Sequence, residues 1–301
     1  KTLDDIINKN KKFCDLINLE NLEEKLTNSY EDILIRKKIN TNPYRILDAV
    51  NLEDDFYQDI IDWSNENIIA IGILDRIYLW DCEKNCDFPE INITEKNFLN
   101  KDPRFENLQP QFQEYPNPLK YKVSAVKWLS NSHDIVMGLQ EGEVFIFDIN
   151  KKKVINSYFN HQNKIGMFSN YPDNPNIFTS ASHDSSISHY DKRMRFPMRQ
   201  IKKHSQEICG IKWSNEGNYL ATGGNDNKLI IWNSFEEKPI SIIKAHKSAI
   251  RALAWSNVKS GILASGGGKN DKKLKLWNVK TMKNLKEVET SSQICNVIFS
   301  K

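Results

Sequence analysis

The chain has 301 residues, 39% apolar and 10% aromatic, enough for one large or two ordinary domains with a real core, which sets aside a disordered tail. Lys and Arg number 42 against 39 acidic residues, a net charge of +3, so no basic field announces a nucleic-acid partner. No apolar run approaches the roughly 20 residues needed to cross a bilayer, and the amino end has no charged-then-apolar signal; a soluble, intracellular protein with no membrane partner is expected.

In chain order, Leu16, Leu19, Leu22, Leu26 and Ile33 recur at near-helical spacing among acids and lysines. This predicts an amphipathic helix from about Leu16 to Ile35 within an N-terminal arm, residues 1–43, partly helical or disordered. From residue 44 to 301 the pattern changes. Five stretches share one ending: Tyr78-Leu-Trp80-Asp81, Phe145-Ile-Phe147-Asp148, Ser188-His-Tyr190-Asp191, Ile230-Ile-Trp232-Asn233 and Lys275-Leu-Trp277-Asn278. From Asp148 onward the steps are 43, 42 and 45 residues. That is the spacing of a four-stranded propeller blade with a Trp-Asp ending, about 40 to 45 residues. Between the first and second endings, residues 82–120 carry Pro89, Pro103, Pro110, Pro116 and Pro118 and read as a surface loop inserted between blades.

Within each later unit the parts recur in order. In the fourth, His204 opens the unit, Ile208 to Trp213 alternates like an inner strand, Asn215-Glu-Gly217 turns, and Tyr219 to Thr222 and Lys228 to Trp232 are further strands. The fifth repeats this with His246, Ala249 to Trp255, Ile262 to Ser265 and Leu274 to Trp277. Such alternation predicts an all-β WD-repeat propeller. A turn Asp lies six residues before the aromatic at Asp184, Asp226 and Asp271. Asp226 bonded to His204, with Thr222 and Trp232 behind it, would close a buried polar network. His246, Ser265, Asp271 and Trp277 would form a second, giving these histidines a structural role. Gly223-Gly224 and Gly266-Gly267-Gly268 predict positive φ or close backbone approach at crowded blade junctions. They lead into strands, not a helix, which argues against a phosphate loop.

The five cysteines, at 14, 82, 86, 209 and 295, are an odd, scattered set and read as reduced thiols. Cys82 and Cys86 have the spacing of a metal pair, but no second pair supplies four zinc ligands, so neither metal nor cofactor is expected. No Ser-His-Asp set can be spelled, and the chain is not expected to be an enzyme.

Particular residues carry a more specific likeness. PYRILDAVNLEDDFYQDIIDWS (Pro43 to Ser64), HSQEICGIKWS, ATGGNDNKLIIWN, LASGGGKNDKKLKLWN and SSQICNVIFSK resemble the Fizzy and Fizzy-related family of WD-repeat activators of the anaphase-promoting complex. LEDDFY (Leu52 to Tyr57) and Lys228 look closer to the Fizzy-related branch. The resemblance implies a seven-bladed propeller, of which about five blades and a fraction are present, the run Ile294 to Phe299 being the next strand. The opening Lys1 and the stop just past that run lead to the expectation of a piece cut from a longer protein.

The resemblance further implies a non-enzymatic receptor that delivers proteins bearing short degrons to a ubiquitin ligase, in cytoplasm and nucleus. Implied partners are subunits of that complex, degron-containing substrates, and checkpoint or inhibitor proteins. The KEN degron would be read by Asp55, Phe56, Asn225, Asn227 and Gln293, and the destruction box by Asp48. Propeller topology independently expects the turn holding Asn225 and Asn227 to share a face with the unit-opening loops of Gln293 and Asp55. Neutral amides and a carboxylate suit a Lys-Glu-Asn peptide. Two plainer readings stand beside these: Asn225 and Asn227 populating a turn, and Asp48 capping the entry to the first blade.

The chain departs from the family pattern in having no Asp-Arg-Tyr/Phe-Ile-Pro box in Lys1 to Pro43, no Ile-Arg end, Val50 in place of the proline after LDA, and Lys269 after three glycines. An alternative from another class is a general WD-repeat scaffold unrelated to ubiquitin.

Overall fold

The structure is a computed structural model and describes residue 43, residues 45–93, 121–130 and 133–300. Residues 1–42 of the arm, where the helix at 16–35 is expected, and residues 94–120 of the insertion lie outside the described residues. The chain divides into two units, Lys1–Ala49 and Val50–Lys301. In the first unit the described residues, 43 and 45–49, form no strand or helix, and Asp48 is exposed.

The second unit is all-β. Its first sheet contains β1 (Ile61–Trp63), β2 (Ile68–Ile73), β3 (Arg76–Asp81), β4 (Cys86–Asp87) and β5 (Ile91–Asn92). The second is β6 (Val123–Trp128), β7 (Asp134–Leu139), β8 (Val144–Asp148) and β9 (Lys153–Tyr158); the third β10 (Ile165–Asn170), β11 (Ile177–Ser182), β12 (Ser186–Asp191) and β13 (Arg199–Lys202). The fourth is β14 (Ile208–Trp213), β15 (Tyr219–Gly224), β16 (Leu229–Asn233) and β17 (Pro239–Ile243); the fifth β18 (Ile250–Trp255), β19 (Ile262–Gly267), β20 (Lys273–Asn278) and β21 (Lys283–Glu289). Strands pair antiparallel in chain order, so each sheet is a local meander and each Trp-Asp-type ending closes a third strand.

Two expectations need correction. The start of the insertion is not simply loop: Trp80 and Asp81 of β3 pair with Asp87 and Cys86 of β4, and Arg76 and Ile77 pair with Asn92 and Ile91 of β5. The outer strand of the first blade is thus split in two around Pro89, whose missing N–H cannot join the ladder. The run Ile294 to Phe299 is not a strand, because among the described residues no strand pairs with it. It is tied down by single bonds, Ile294 N to the Gly267 carbonyl at 3.1 Å and the Asn257 amide to the Phe299 carbonyl at 3.4 Å.

The core lies between sheets. Because side chains alternate across a strand, one strand serves two junctions. Leu220 and Trp232 pack toward the third sheet with Ala181 and Ile187, while Ala221 and Ile231 pack toward the fifth with Leu253 and Trp277. This two-sided demand explains why β7, β8 and β12 are buried at every position. β6, β10, β14 and β18 adjoin one another in series and, with β1, line a common axial cavity. Each of β6, β10, β14 and β18 carries a register shift near its start, between Val123 and Ala125, Ile165 and Met167, Ile208 and Gly210, and Ile250 and Ala252. A bulge at the same point of every inner strand re-aims the chain as it enters the blade from the rim.

The glycine pairs act by close approach and not by left-handed backbone. Gly142, Gly217 and Gly261 have positive φ; Gly223, Gly224 and Gly266 to Gly268 do not. A methyl on Gly224 would lie 2.5 Å from His204 Nδ1 and 2.6 Å from Asp226 Oδ1.

Candidate functional site at one rim of the propeller

The blade networks lie beneath the rim and hold its turns in shape. In the fourth blade His204 Nδ1 is 2.9 Å from Asp226 Oδ1, Nε2 is 2.9 Å from Thr222 Oγ1, and Trp232 Nε1 donates to Thr222 Oγ1 at 3.0 Å. The indole can only donate, so the threonine oxygen accepts from it and gives its own proton to Nε2; Nδ1–H then donates to Asp226. Asp226 Oδ2 also accepts from the Ser205 amide at 3.0 Å. In the fifth blade His246 meets Asp271 at 2.5 Å and Ser265 at 2.7 Å, and Trp277 Nε1 donates to Ser265 at 2.8 Å. A third set was missed by sequence reasoning: His161 lies 2.8 Å from Asp184 and 2.7 Å from Ser180. Its spacing to Asp184, 23 residues against 22 for His204 to Asp226, was the available signal. Burial acts to raise the carboxyls of Asp184 and Asp226, but bonds from the histidines and backbone amides outweigh it and hold both well below the usual range.

Above these networks, the residue preceding each inner strand recurs at one place: Lys122, Lys164, Glu207 and Ala249. Their carbonyls accept from Gln140, His183, Asn225 and Gly268 at 2.8–3.0 Å. Gln293 occupies the equivalent place, since Ile294 packs against Gly266 as Ile250 packs against Gly223 and Ile165 against Gly138. These positions form one rim.

Residues 52–59 lie across it. Glu53 pairs with Lys122. Asp55 accepts from the Tyr57 amide at 2.8 Å and from Lys164 Nζ at 2.9 Å. Burial would raise the Asp55 carboxyl, but this amide and the Lys164 ammonium hold it below its ordinary value. Phe56 lies under Arg251, whose guanidinium carbon is 5.6 Å from the ring centroid, and edge-on to Tyr57. The Tyr57 hydroxyl donates to Asn225 Oδ1 at 3.4 Å, and Asn225 Nδ2 donates to Glu207 at 3.2 Å. Arg251 Nη2 donates to the Gln58 carbonyl at 2.7 Å.

The structure therefore brings Asp55, Phe56 and Asn225 together. Asn227 sits two residues on in the same turn, at φ 60°, so its residue type also answers a backbone need. Gln293 is exposed. Lys164, Glu207, Tyr57 and Arg251 belong to the cluster and were not singled out from sequence. Aligning the residues ahead of the inner strands would have flagged the first two. Among the described residues no group of three His, Cys, Asp or Glu side chains is arranged to hold a metal.

The family model for the CDC20/Fizzy WD40 domain matches residues 47–301. The chain is 34% identical over 260 residues to the APC/C activator protein CDH1 of Saccharomyces cerevisiae, covering 86% of this chain and 41% of that protein. It is 32% identical over 260 residues to WD repeat-containing protein srw1 of Schizosaccharomyces pombe, covering 86% and 42%. With FIZZY-RELATED 1 of Arabidopsis thaliana the identity is 34% over 266 residues, covering 88% and 50%. The chain thus spans half or less of the length of these relatives. Among solved structures, a chain of the mitotic checkpoint complex superposes with a TM-score of 0.73 at 29% identity, covering 86% of this chain and 74% of the other. Repeat, blade count, interblade packing and these matches converge: the chain belongs to the CDC20/Fizzy WD40 domain family.

Proposed function

We propose that this chain is the substrate-recognition propeller of an activator of the anaphase-promoting complex, binding KEN-box and destruction-box degrons without catalysing a reaction itself. The observation that carries the reading is the rim cluster of Asp55, Phe56 and Asn225, with Asn227 in the same turn and Gln293 at the equivalent rim position. A lysine side chain finds a carboxylate at Asp55, and a peptide Glu-Asn pair finds amides at Asn225, Asn227 and Gln293. Asp48, exposed, is assigned to the arginine of a destruction box. Partners on this reading are subunits of the complex, degron-bearing substrates and checkpoint or inhibitor proteins, met in cytoplasm and nucleus. The names of CDH1 and of the mitotic checkpoint complex structure support this assignment.

Fluorescence anisotropy with a labelled KEN peptide tests it. Asn225→Ala combined with Gln293→Ala should weaken binding by about 2 to 4 kcal/mol, thirtyfold or more. Asn227 is changed to Gly, which keeps the positive φ, so that a lost amide is read without backbone strain. Unchanged affinity in all three positions rejects the site.

A further inference from the structure

The loops of the fourth and fifth blades that reach the rim, 203–207, 225–228, 244–249 and 268–272, hold six lysines, Lys203, Lys228, Lys244, Lys247, Lys269 and Lys272. Against them stand three carboxylates, Glu207, Asp226 and Asp271, all engaged elsewhere. Asp226 and Asp271 turn inward to His204 and His246, with side chains 3% and 1% exposed, and Glu207 accepts from Asn225. Among the described residues only Lys228 of these lysines is paired, to Asp226 at 3.1 Å. Even with all three carboxylates ionised, three positive charges are in excess. Next to these loops Lys273 and Lys275 share Glu287, and Glu289 lies across the ladder from Lys273, so β20 and β21 do not cancel the excess.

Lys247 and Lys269 are exposed, but their backbone is fixed: Lys247 N donates to Asp271 at 3.1 Å, and the Gly268 carbonyl accepts from the Asp271 and Lys272 amides at 3.0 Å. Gly268 holds in the fifth blade the place that Asn225 holds in the fourth, which sets Lys269 beside the ring of positions carrying the cluster. Around residues 53–55 and the turn of Glu141 the sign reverses. There Asp54 and Glu141 are exposed and without an ion pair among the described residues, while Lys122 and Lys164 are bound to Glu53 and Asp55.

We propose that the basic sector, with Lys247 and Lys269 as its exposed members nearest the cluster, is a specificity-determining subsite that favours degrons whose residues just after the Lys-Glu-Asn core are aspartate or glutamate. This rests on the reading of the rim as a degron site. The peptide lysine is assigned there to Asp55 and the Glu-Asn pair to Asn225, Asn227 and Gln293; the fifth blade lies between the last two in chain and ring order, so a peptide leaving the core on its C-terminal side passes over Lys247 and Lys269. Ammonium groups in that path favour carboxylates and disfavour further lysines. Each exposed pair is weak, so the outcome is a graded preference and not a requirement.

Fluorescence anisotropy on the full chain tests this with three labelled peptides that share the core and differ only in the two residues after it, Asp-Glu, Asn-Gln or Lys-Lys. At low salt the acidic peptide should bind about three- to tenfold tighter than the neutral one and the basic peptide weaker by a similar factor. The spread should collapse near 1 M sodium chloride, where the screening length is about 3 Å. Lys247→Gln with Lys269→Gln should bring the acidic peptide to the affinity of the neutral one. Lys259→Gln with Lys280→Gln removes the same charge from exposed positions at the other end of the fifth blade and should keep the preference. Equal affinities for the three peptides, a preference that survives Lys247→Gln with Lys269→Gln, or one equally strong when the acids precede the core, overturns the proposal. Binding that persists when Lys-Glu-Asn is replaced by three alanines instead rejects the rim site, and this subsite with it.

Discussion

Gly223 and Ile250 meet across the junction of the fourth and fifth blades so closely that a methyl on Gly223 would overlap the Ile250 carbonyl oxygen and lie 2.8 Å from its Cβ. Gly72 with Val123, Gly138 with Ile165 and Gly266 with Ile294 repeat the relationship. The glycine pairs are thus a packing requirement of blades converging on an axis. Gly223→Ala must push two backbones apart, and it should destabilise the chain by about 1 to 3 kcal/mol or more, read as a lower urea midpoint at unchanged m-value. An unchanged midpoint would mean the junction opens freely.

The blade networks should give the protein an acid limb. Asp184 and Asp226 keep their charge to lower pH in the fold than in the unfolded chain, where an aspartate titrates near 3.9. As pH falls through about 4 the unfolded chain takes up protons first, so this stability, fully present above pH ~5, is lost toward lower pH. Asp226→Asn should reduce the steepness of that limb and lower stability at pH 7, as chemical denaturation across pH 3–7 would reveal. An unaltered slope would assign the acid limb to other carboxylates.

His189 makes a separate case. It is 1% exposed, bonds Thr179 Oγ1 through Nδ1 at 2.9 Å and packs on Trp213 and Phe235; burial and then Arg199 push its imidazole down to about 4. An unfolded histidine protonates near 6.5, so folding stability from this residue is complete above that value and declines as pH falls from about 6.5 to 4. NMR titration should show the His189 ring unprotonated down to about pH 4; a midpoint near 6.5 would contradict its burial.

Lys164 is expected to restrain the rim. It pairs with Asp55 at 2.9 Å, the carboxylate assigned to a degron lysine. A peptide lysine must then displace Lys164, so Lys164→Met should tighten KEN-peptide binding by on the order of 1 kcal/mol, about fivefold. Anisotropy on the same labelled peptide measures it. Weaker binding would show that Lys164 supports the peptide instead.

Some of this architecture was readable before any coordinates. Alternating strands, turn residues and the Trp-Asp endings express period-two geometry and turn chemistry, which act over a few residues, and their recurrence announced the blades. The His204 and His246 networks were legible for the same reason, as each closes within one repeat. The split outer strand at Cys86–Asp87 and Ile91–Asn92 was not, because β3 has to be in place before two-residue strands exist. Nor was the absence of pairing at Ile294 to Phe299, where a strand-like pattern lacks a neighbour to bond among the described residues.

By itself, then, the sequence determined the repeat, the all-β blades, the family likeness and which residues bear chemistry at the turns. Only tertiary structure decided who meets whom at the rim and along the axis. Asp55 and Lys164 are 109 residues apart, Tyr57 and Asn225 168, and Gln58 and Arg251 193. No local propensity encodes such pairs; they arise because blades stacked around one axis bring the openings of all their inner strands to a single face.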